Sequence, residues 1–201
     1  MSLSVDLSAI TPGFSDSVLE SQTIFRRALH ALSRPGEIVD IDCRAELPKG
    51  LHRAAGGLLL VLLDQDTRLW LAPSVASERI ATYFRFHTGC TLVRRHVEAD
   101  VVLCGAAGEL PRLASFALGT EDYPERSATV VIQVERLLSS GGWTLRGPGI
   151  AERSTFAPSG LDERFVRQWS ELHTLFPRGI DIFLASGNQL AGLPRTTQIE
   201  A

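Results

Sequence analysis

Leu175-Phe176-Pro177-Arg178-Gly179-Ile180-Asp181-Ile182-Phe183-Leu184-Ala185-Ser186-Gly187-Asn188-Gln189-Leu190-Ala191-Gly192-Leu193-Pro194-Arg195-Thr196-Thr197 is the stretch whose reading decides the fold. Ile180 to Ala185 is almost wholly apolar, and it is bounded by Pro-Arg-Gly and Ser-Gly-Asn, the pattern of a strand buried on both faces. Gly187-Asn188 tolerates positive φ, so the chain is expected to turn there and return through Leu190 to Leu193 as a hairpin. With a two-residue turn, Arg195 falls opposite Ile180 and Thr197 opposite Arg178, which puts both arginines on one face. Two guanidinium groups side by side repel unless a negative group lies between them, and Arg with Thr suits phosphate or carboxylate. Arg195, Thr196, Thr197 and Arg178 are therefore the candidate anion-binding residues. The alternative is that both arginines are solvated, or paired with Asp181, Glu200 or another acid.

Upstream, helical and strand patterns alternate. Ser17 and Glu20 have capping-box spacing, and Phe25, Ala28, Leu29 and Leu32 recur at helical intervals, so a helix of about 17 residues is expected, stopped by Arg34-Pro35-Gly36. Strands are expected at 37–43, 67–71, 99–104, 127–134 and 150–156. Helices are expected at 52–63, 77–86 and 110–118, and a last one is carried by Leu161, Phe165, Trp169, Leu172 and Phe176. Ser139-Ser140-Gly141-Gly142 reads as a hairpin turn between Gln133-Val134 and Trp143-Thr144-Leu145. The sum is an α/β fold, a mixed β-sheet flanked by helices in a single domain over 1–201.

At 201 residues with 44% hydrophobic and 21% charged side chains, the chain can bury one substantial core and is not disordered. A net charge of −3 without a basic cluster argues against nucleic acid or a membrane surface as partner. The longest apolar run, Ala54 to Leu63, is about half a membrane span. The first residues carry no Lys or Arg and lack the shape of a signal peptide. Cys43, Cys90 and Cys104 are an odd set in strand-like runs, as buried thiols of a reducing compartment are, so the protein is read as cytoplasmic. Lys49 is the only lysine, and it sits in a turn, which leaves little for Schiff-base or P-loop chemistry.

Other chemistry-bearing patterns are thin. His87-x-x-Cys90 with His96 has a metal-ligand flavour but lacks a fourth ligand, and a His87 capping its helix with Cys90 in the core explains it as well. Asp64 and Asp66 could hold a divalent ion with a phosphate or be ordinary turn acids. Gly147-Pro148-Gly149-Ile150-Ala151-Glu152 begins like a dinucleotide fingerprint, but Glu stands at the third Gly and no helix follows. His30, His52 and His173 fall in or beside helices, where a hydrogen-bonded structural histidine is the default. No cofactor or metal site is expected.

Several motifs together carry a resemblance. Phe25-Arg26-Arg27 through Ser33-Arg34-Pro35-Gly36, Asp64-Gln65-Asp66-Thr67 with Trp70-Leu71, and Arg85-Phe86-His87-Thr88 come first. Gly119-Thr120 with Pro124-Glu125 and Ala128-Thr129 follow, then Leu145-Arg146-Gly147-Pro148-Gly149-Ile150, Phe176-Pro177-Arg178-Gly179-Ile180-Asp181 and Pro194-Arg195-Thr196-Thr197. In this order, over nearly the whole chain, they resemble the H subunits of the carbon-phosphorus lyase core complex. The resemblance implies a role in bacterial phosphonate breakdown, in a complex with G, I and J subunits. With the L subunit, the G, H and I subunits replace the adenine of ATP by a phosphonate, giving ribose 1-phosphonate 5-triphosphate. It further implies a homodimer and a fold similar to pyridoxal-phosphate-dependent transferases without the cofactor, which agrees with the scarcity of lysine. The resemblance supplies no catalytic residues, so a scaffold and partner-binding role is expected. The alternative is a stand-alone enzyme or binding protein for a phosphorylated small molecule at an anion site in the dimer interface. Position 178 is variable in the family motif, and Gly147, Gly149, Gly179 and Asp181 are read as serving backbone geometry.

Overall fold

The structure is a computed structural model that describes residues 10–200. The expectation about a signal peptide falls on segment 1–9, which, with Ala201, lies outside the described residues. Helix α1 (Ser17–Ser33) has the expected length, but its N-cap is Asp16, whose carboxylate accepts from the amides of Val18 and Leu19. The Glu20 carboxylate reaches back to the amides of Ser15 and Asp16. The capping exchange is thus real and starts one residue earlier than Ser17, because Asp16 offers an acceptor to the free amides of the first turn.

Strand β1 (Val39–Asp40) is all that forms of the strand expected over 37–43, because Asp40 already faces the first residue of its partner strand, Gln189, and beyond the Ile41 amide, which donates to Asn188 O, the chain has no strand to pair with. Helix α2 (Arg53–Leu62), strand β2 (Arg68–Leu71) and helix α3 (Glu78–Thr88) follow as expected. Then come β3 (Thr91–Leu92), β4 (Val101–Cys104) and β5 (Thr129–Gln133). The helix expected over 110–118 is replaced by a single 3-10 turn at Leu113–Ser115. Two contacts pull that segment into extended form: the Ala128 amide donates to Ala117 O, and Leu118 bridges to Ser127.

Ser139 to Gly142 do not make a hairpin turn. They lie inside one long strand, β6 (Leu137–Arg146), which pairs antiparallel with β7 (Ser154–Pro158) through an irregularity between Leu138 and Trp143. Gly141 and Gly142 at positive φ absorb the extra residues as a bulge, so turn-like composition here marks a bend within a strand. Helix α4 (Glu163–His173) precedes β8 (Asp181–Ser186), β9 (Gln189–Leu193) and β10 (Gln198–Glu200). The β8–β9 hairpin keeps the expected register, with Ser186 opposite Gln189 and Ile182 opposite Leu193.

The main sheet has seven strands in the order β1-β9-β8-β5-β4-β2-β3, and a second sheet has three in the order β10-β6-β7. In the main sheet β3, β2, β4, β5 and β8 are parallel neighbours, and β9 runs against both β8 and β1. The outcome is an α/β fold with a mixed sheet flanked by helices. α1, α2 and α3 form a layer on it, α1 against β9 and α2 against β8, β9 and β5. Gly192 permits the close approach of α1: a Cβ there would come within 2.6 Å of the Ala31 backbone. Trp143, Phe165 and Trp169 stack, with ring centroids 5.4 and 6.1 Å apart, and tie the small sheet to α4. One continuous apolar core runs through these elements.

Candidate functional site

In an open α/β sheet ligands lie outside the carboxyl ends of the parallel strands, where diverging loops leave a crevice. Here those ends are Cys104 of β4, Gln133 of β5 and Ser186 of β8. A cavity of about 420 Å³ opens there, lined by His52, Gly105, Gly108, Gln133, Glu135 and Ser159. A wider, open cleft of about 950 Å³ adjoins it, with Arg27, Asp40, Arg44, Arg53 and Asn188 in its walls. His52 lines both.

His52 is held from two sides. Its backbone amide donates to Gln133 Oε1 at 2.7 Å, and Gln133 Nε2 donates to Gly50 O at 2.9 Å. Gln133 is 3% exposed, so this amide satisfies itself on the 50–52 loop and fixes that loop to the end of β5. His52 Nδ1 lies 3.0 Å from Ala185 O. A carbonyl can only accept, so Nδ1 is the donor in this bond. In the wider cleft, Arg53 Nη1 donates to Cys43 O at 2.8 Å, Arg44 pairs with Asp42 at 3.4 Å, and Asn188 Nδ2 donates to Asp40 Oδ1 at 3.2 Å. Ser159 Oγ accepts the Arg136 amide at 2.9 Å. Burial pushes the Cys43 thiol up, away from the reactive thiolate. This is a polar crevice able to hold a small molecule by hydrogen bonds, and none of the contacts described in it joins a nucleophile to a base.

The residues expected to bind an anion lie elsewhere. Asp181 opens β8, Ser127 precedes β5 and Arg195 follows β9, so they meet at the amino ends of the parallel strands. Arg195 Nε and Nη2 donate to the two Asp181 oxygens at 3.2 and 2.5 Å. Nη2 also donates to Ser127 Oγ at 2.6 Å, and Nη1 donates to the carbonyls of Pro124 and Pro177 at 2.8 and 3.4 Å. All five N–H groups of the guanidinium are thereby engaged within the chain. Thr197 is fully buried, its amide donating to Pro194 O and its carbonyl accepting from Trp169 Nε1 at 2.7 Å. Thr196 and Arg178 are half-buried. The cavity beside Arg195 measures about 10 Å³, room for a water at most. The pairing with Asp181 is the arrangement found, and the geometry offers an added anion at Arg195 neither donors nor space.

The remaining candidates also sit in structural contacts. His87 lies inside α3 and reaches Thr11 O at 3.0 Å, while Gly89 caps that helix in the left-handed conformation. Cys90 is in the core. His96 meets Ser115 Oγ at 2.8 Å and packs edge-on to Trp70 and Phe116. Asp64 accepts from the Asp66 amide and Thr67 Oγ1, a local turn. Among the described residues no group of three His, Cys, Asp or Glu is placed to hold a metal ion. Gly147 to Gly149 form a bend against α1, where a Cβ on Gly149 would come within 2.0 Å of Ser33 O.

Fold and crevice define an α/β protein whose amino edge is locked by internal bonds and whose carboxyl edge is open. The chain belongs to the bacterial phosphonate metabolism protein (PhnH) family, whose model matches residues 12–200. It is 38% identical over 189 residues to alpha-D-ribose 1-methylphosphonate 5-triphosphate synthase subunit PhnH of Rhizobium meliloti (strain 1021), covering 93% of this chain and 94% of that one. It is 35% identical over 179 residues to the putative C-P lyase subunit protein HtxG of Stutzerimonas stutzeri, covering 89% of this chain and 85% of the relative.

Proposed function

We propose that the chain acts in organic phosphonate catabolism as a subunit of the carbon-phosphorus lyase core complex, required with its partners to form ribose 1-methylphosphonate 5-triphosphate from ATP and methylphosphonate. The observation that carries this is the end-to-end match to the Rhizobium synthase subunit, 94% of whose length is covered. The role within the complex is chiefly to bind partners. Arg195, the best candidate for a substrate phosphate, is consumed by Asp181, Ser127, Pro124 and Pro177, and the crevice assembles no nucleophile with a base.

The finer picture belongs to the same proposal. The chain forms a homodimer in the cytoplasm and joins the G, I and J subunits there. Its domain is similar to a pyridoxal-phosphate-dependent transferase without the cofactor. What supports the last point is the sequence: Lys49 is the only lysine, and it is exposed beside Gly50, outside the lining of the crevice. No helix among the described residues is long and apolar enough to cross a membrane. The test is turnover. The purified chain alone should consume no ATP in the presence of methylphosphonate and should restore ribose 1-methylphosphonate 5-triphosphate synthesis to partner subunits that lack it. Turnover by the isolated chain, or normal growth on methylphosphonate after its deletion, would refute the reading.

A further inference from the structure

Helix α1 has two apolar faces, and the core uses one of them. Ile24, Ala28 and Ala31 are buried against the sheet. Val18, Phe25 and Leu29, at spacings of seven and four, form a separate line roughly 110° around the helix axis. They are 72%, 45% and 50% exposed, and Leu19 beside them is 61% exposed. Four of the large apolar side chains left in water are thus on one helix, where isolated surface leucines would be expected to scatter.

Charge says what this face can meet. Arg26 lies on α1 beside this line and makes no ion pair among the described residues, whereas Arg27 lies on the far side of the helix and lines the wider cleft. Glu20, the helix's one carboxylate, is held by the amides of Ser15, Asp16 and Arg44. Asp16 at the N-cap is likewise held by first-turn amides, so the unanswered charge beside this face is positive, on a chain of net charge −3. A second copy of α1 would bring the same Arg26 guanidinium with no free carboxylate to answer it, and like charges across an interface are disfavoured.

We propose that the outer face of α1, the line Val18–Phe25–Leu29 flanked by Arg26, is the docking surface for a different protein chain that presents an apolar groove rimmed by Asp or Glu. The mode is helix in groove, with anchors repeating along one helical line and a salt-sensitive rim. The inference rests on the reading of the chain as a complex subunit and names the surface that serves it.

Binding of the full chain to the purified remaining subunits of the core complex, measured by calorimetry, tests it. Phe25→Asp and, separately, Arg26→Glu are compared with wild type, each checked for native folding by circular dichroism. Both side chains are exposed, so both variants are expected to fold. Phe25→Asp should weaken binding at least about tenfold, as loss of an interface anchor does. Arg26→Glu should weaken it less and flatten its dependence on salt. If wild type binds and both variants bind equally well, the inference is wrong while the complex reading stands. If wild type binds none of the subunits, the complex reading itself fails. If sedimentation shows instead that Phe25→Asp dissociates a dimer of this chain while subunit binding is untouched, the face belongs to a second copy and the proposal is overturned.

Discussion

Arg195 closes on Asp181 across the end of the β8–β9 hairpin, its backbone amide 2.9 Å from Oδ1 and its Nη2 2.5 Å from Oδ2. A bidentate fork with a backbone bond beside it is the strongest geometry an Arg and a carboxylate can adopt. From that anchor the guanidinium gathers the 124–127 and 177 segments, so one side chain ties its own loop to two others at the amino edge of the sheet.

Arg195→Ala should therefore cost about 3 kcal/mol of stability, since it leaves the Asp181 charge with only the residue-195 backbone amide, and two carbonyls without their donor, in a largely buried place. Arg195→Lys should recover only part of that loss, because an ammonium cannot form the fork. Urea denaturation measures both. An Arg195→Ala protein of wild-type stability would mean that the clamp is dispensable. Thr197→Val should be neutral or slightly stabilising, because the buried Thr197 Oγ1 has no hydrogen-bond partner in the chain.

Gln133→Leu removes the donor and acceptor that hold Gly50 and His52, leaving the Gly50 carbonyl and the His52 amide without their partner at a partly buried place. A cost of about 1 kcal/mol is expected. The more specific readout is hydrogen exchange: the His52 amide should exchange faster in Gln133→Leu, while amides of β8 keep their protection. Unchanged exchange at His52 would mean that something else secures the loop.

The three thiols should be silent in the native protein. Burial pushes the Cys104 thiol up to about 12 and raises those of Cys43 and Cys90. A thiol reagent at about pH 8 should titrate the full set only after denaturation, because the thiolate is the reacting form. As the pH rises, Cys43 should react first, since it borders the wider cleft.

Arg68 grips Asp100 through its backbone amide and Nε, both at 2.9 Å from Oδ2, and through Nη2 at 2.6 Å from Oδ1. Hydrogen bonding by Arg68 holds this carboxyl below its ordinary value of 3.8. A carboxyl depressed in the folded state adds stability that is present above 3.8 and is lost as the pH falls through the folded value. The pair is partly exposed, so the contribution is about 1 kcal/mol or less. The stability gap between wild type and Asp100→Asn should close between about pH 5 and pH 2. A gap that persists at the acid end would place its origin outside this carboxylate.

Where a local rule governs, the sequence is legible. A two-residue turn at Gly187-Asn188 fixes the hairpin period, and the Ser186 to Gln189 pairing follows from it. The spacing of Phe165, Trp169 and Leu172 is enough for α4. The Ser139–Gly142 run misleads because glycine and serine serve bulges as well as turns, and only the partner strand β7 decides which. His52 and the crevice are hidden for another reason. Their walls come from residues near 52, 105, 133 and 159, and nothing local distinguishes Gln133 from any polar residue at a strand end. Asp181 is one of the acids the sequence offers to Arg195. What decides the pairing is Ser127 and the carbonyls of Pro124 and Pro177, which come from segments remote in the chain.

Both outermost strands of the large sheet, β1 and β3, are only two residues long. A stranger's β-strand thus finds almost no row of free peptide groups along which to zip. At this sheet, recognition by others is left to side chains, which can discriminate between suitors, and a newly made copy crowded among its siblings has little opportunity to stick to them through the backbone of its larger sheet.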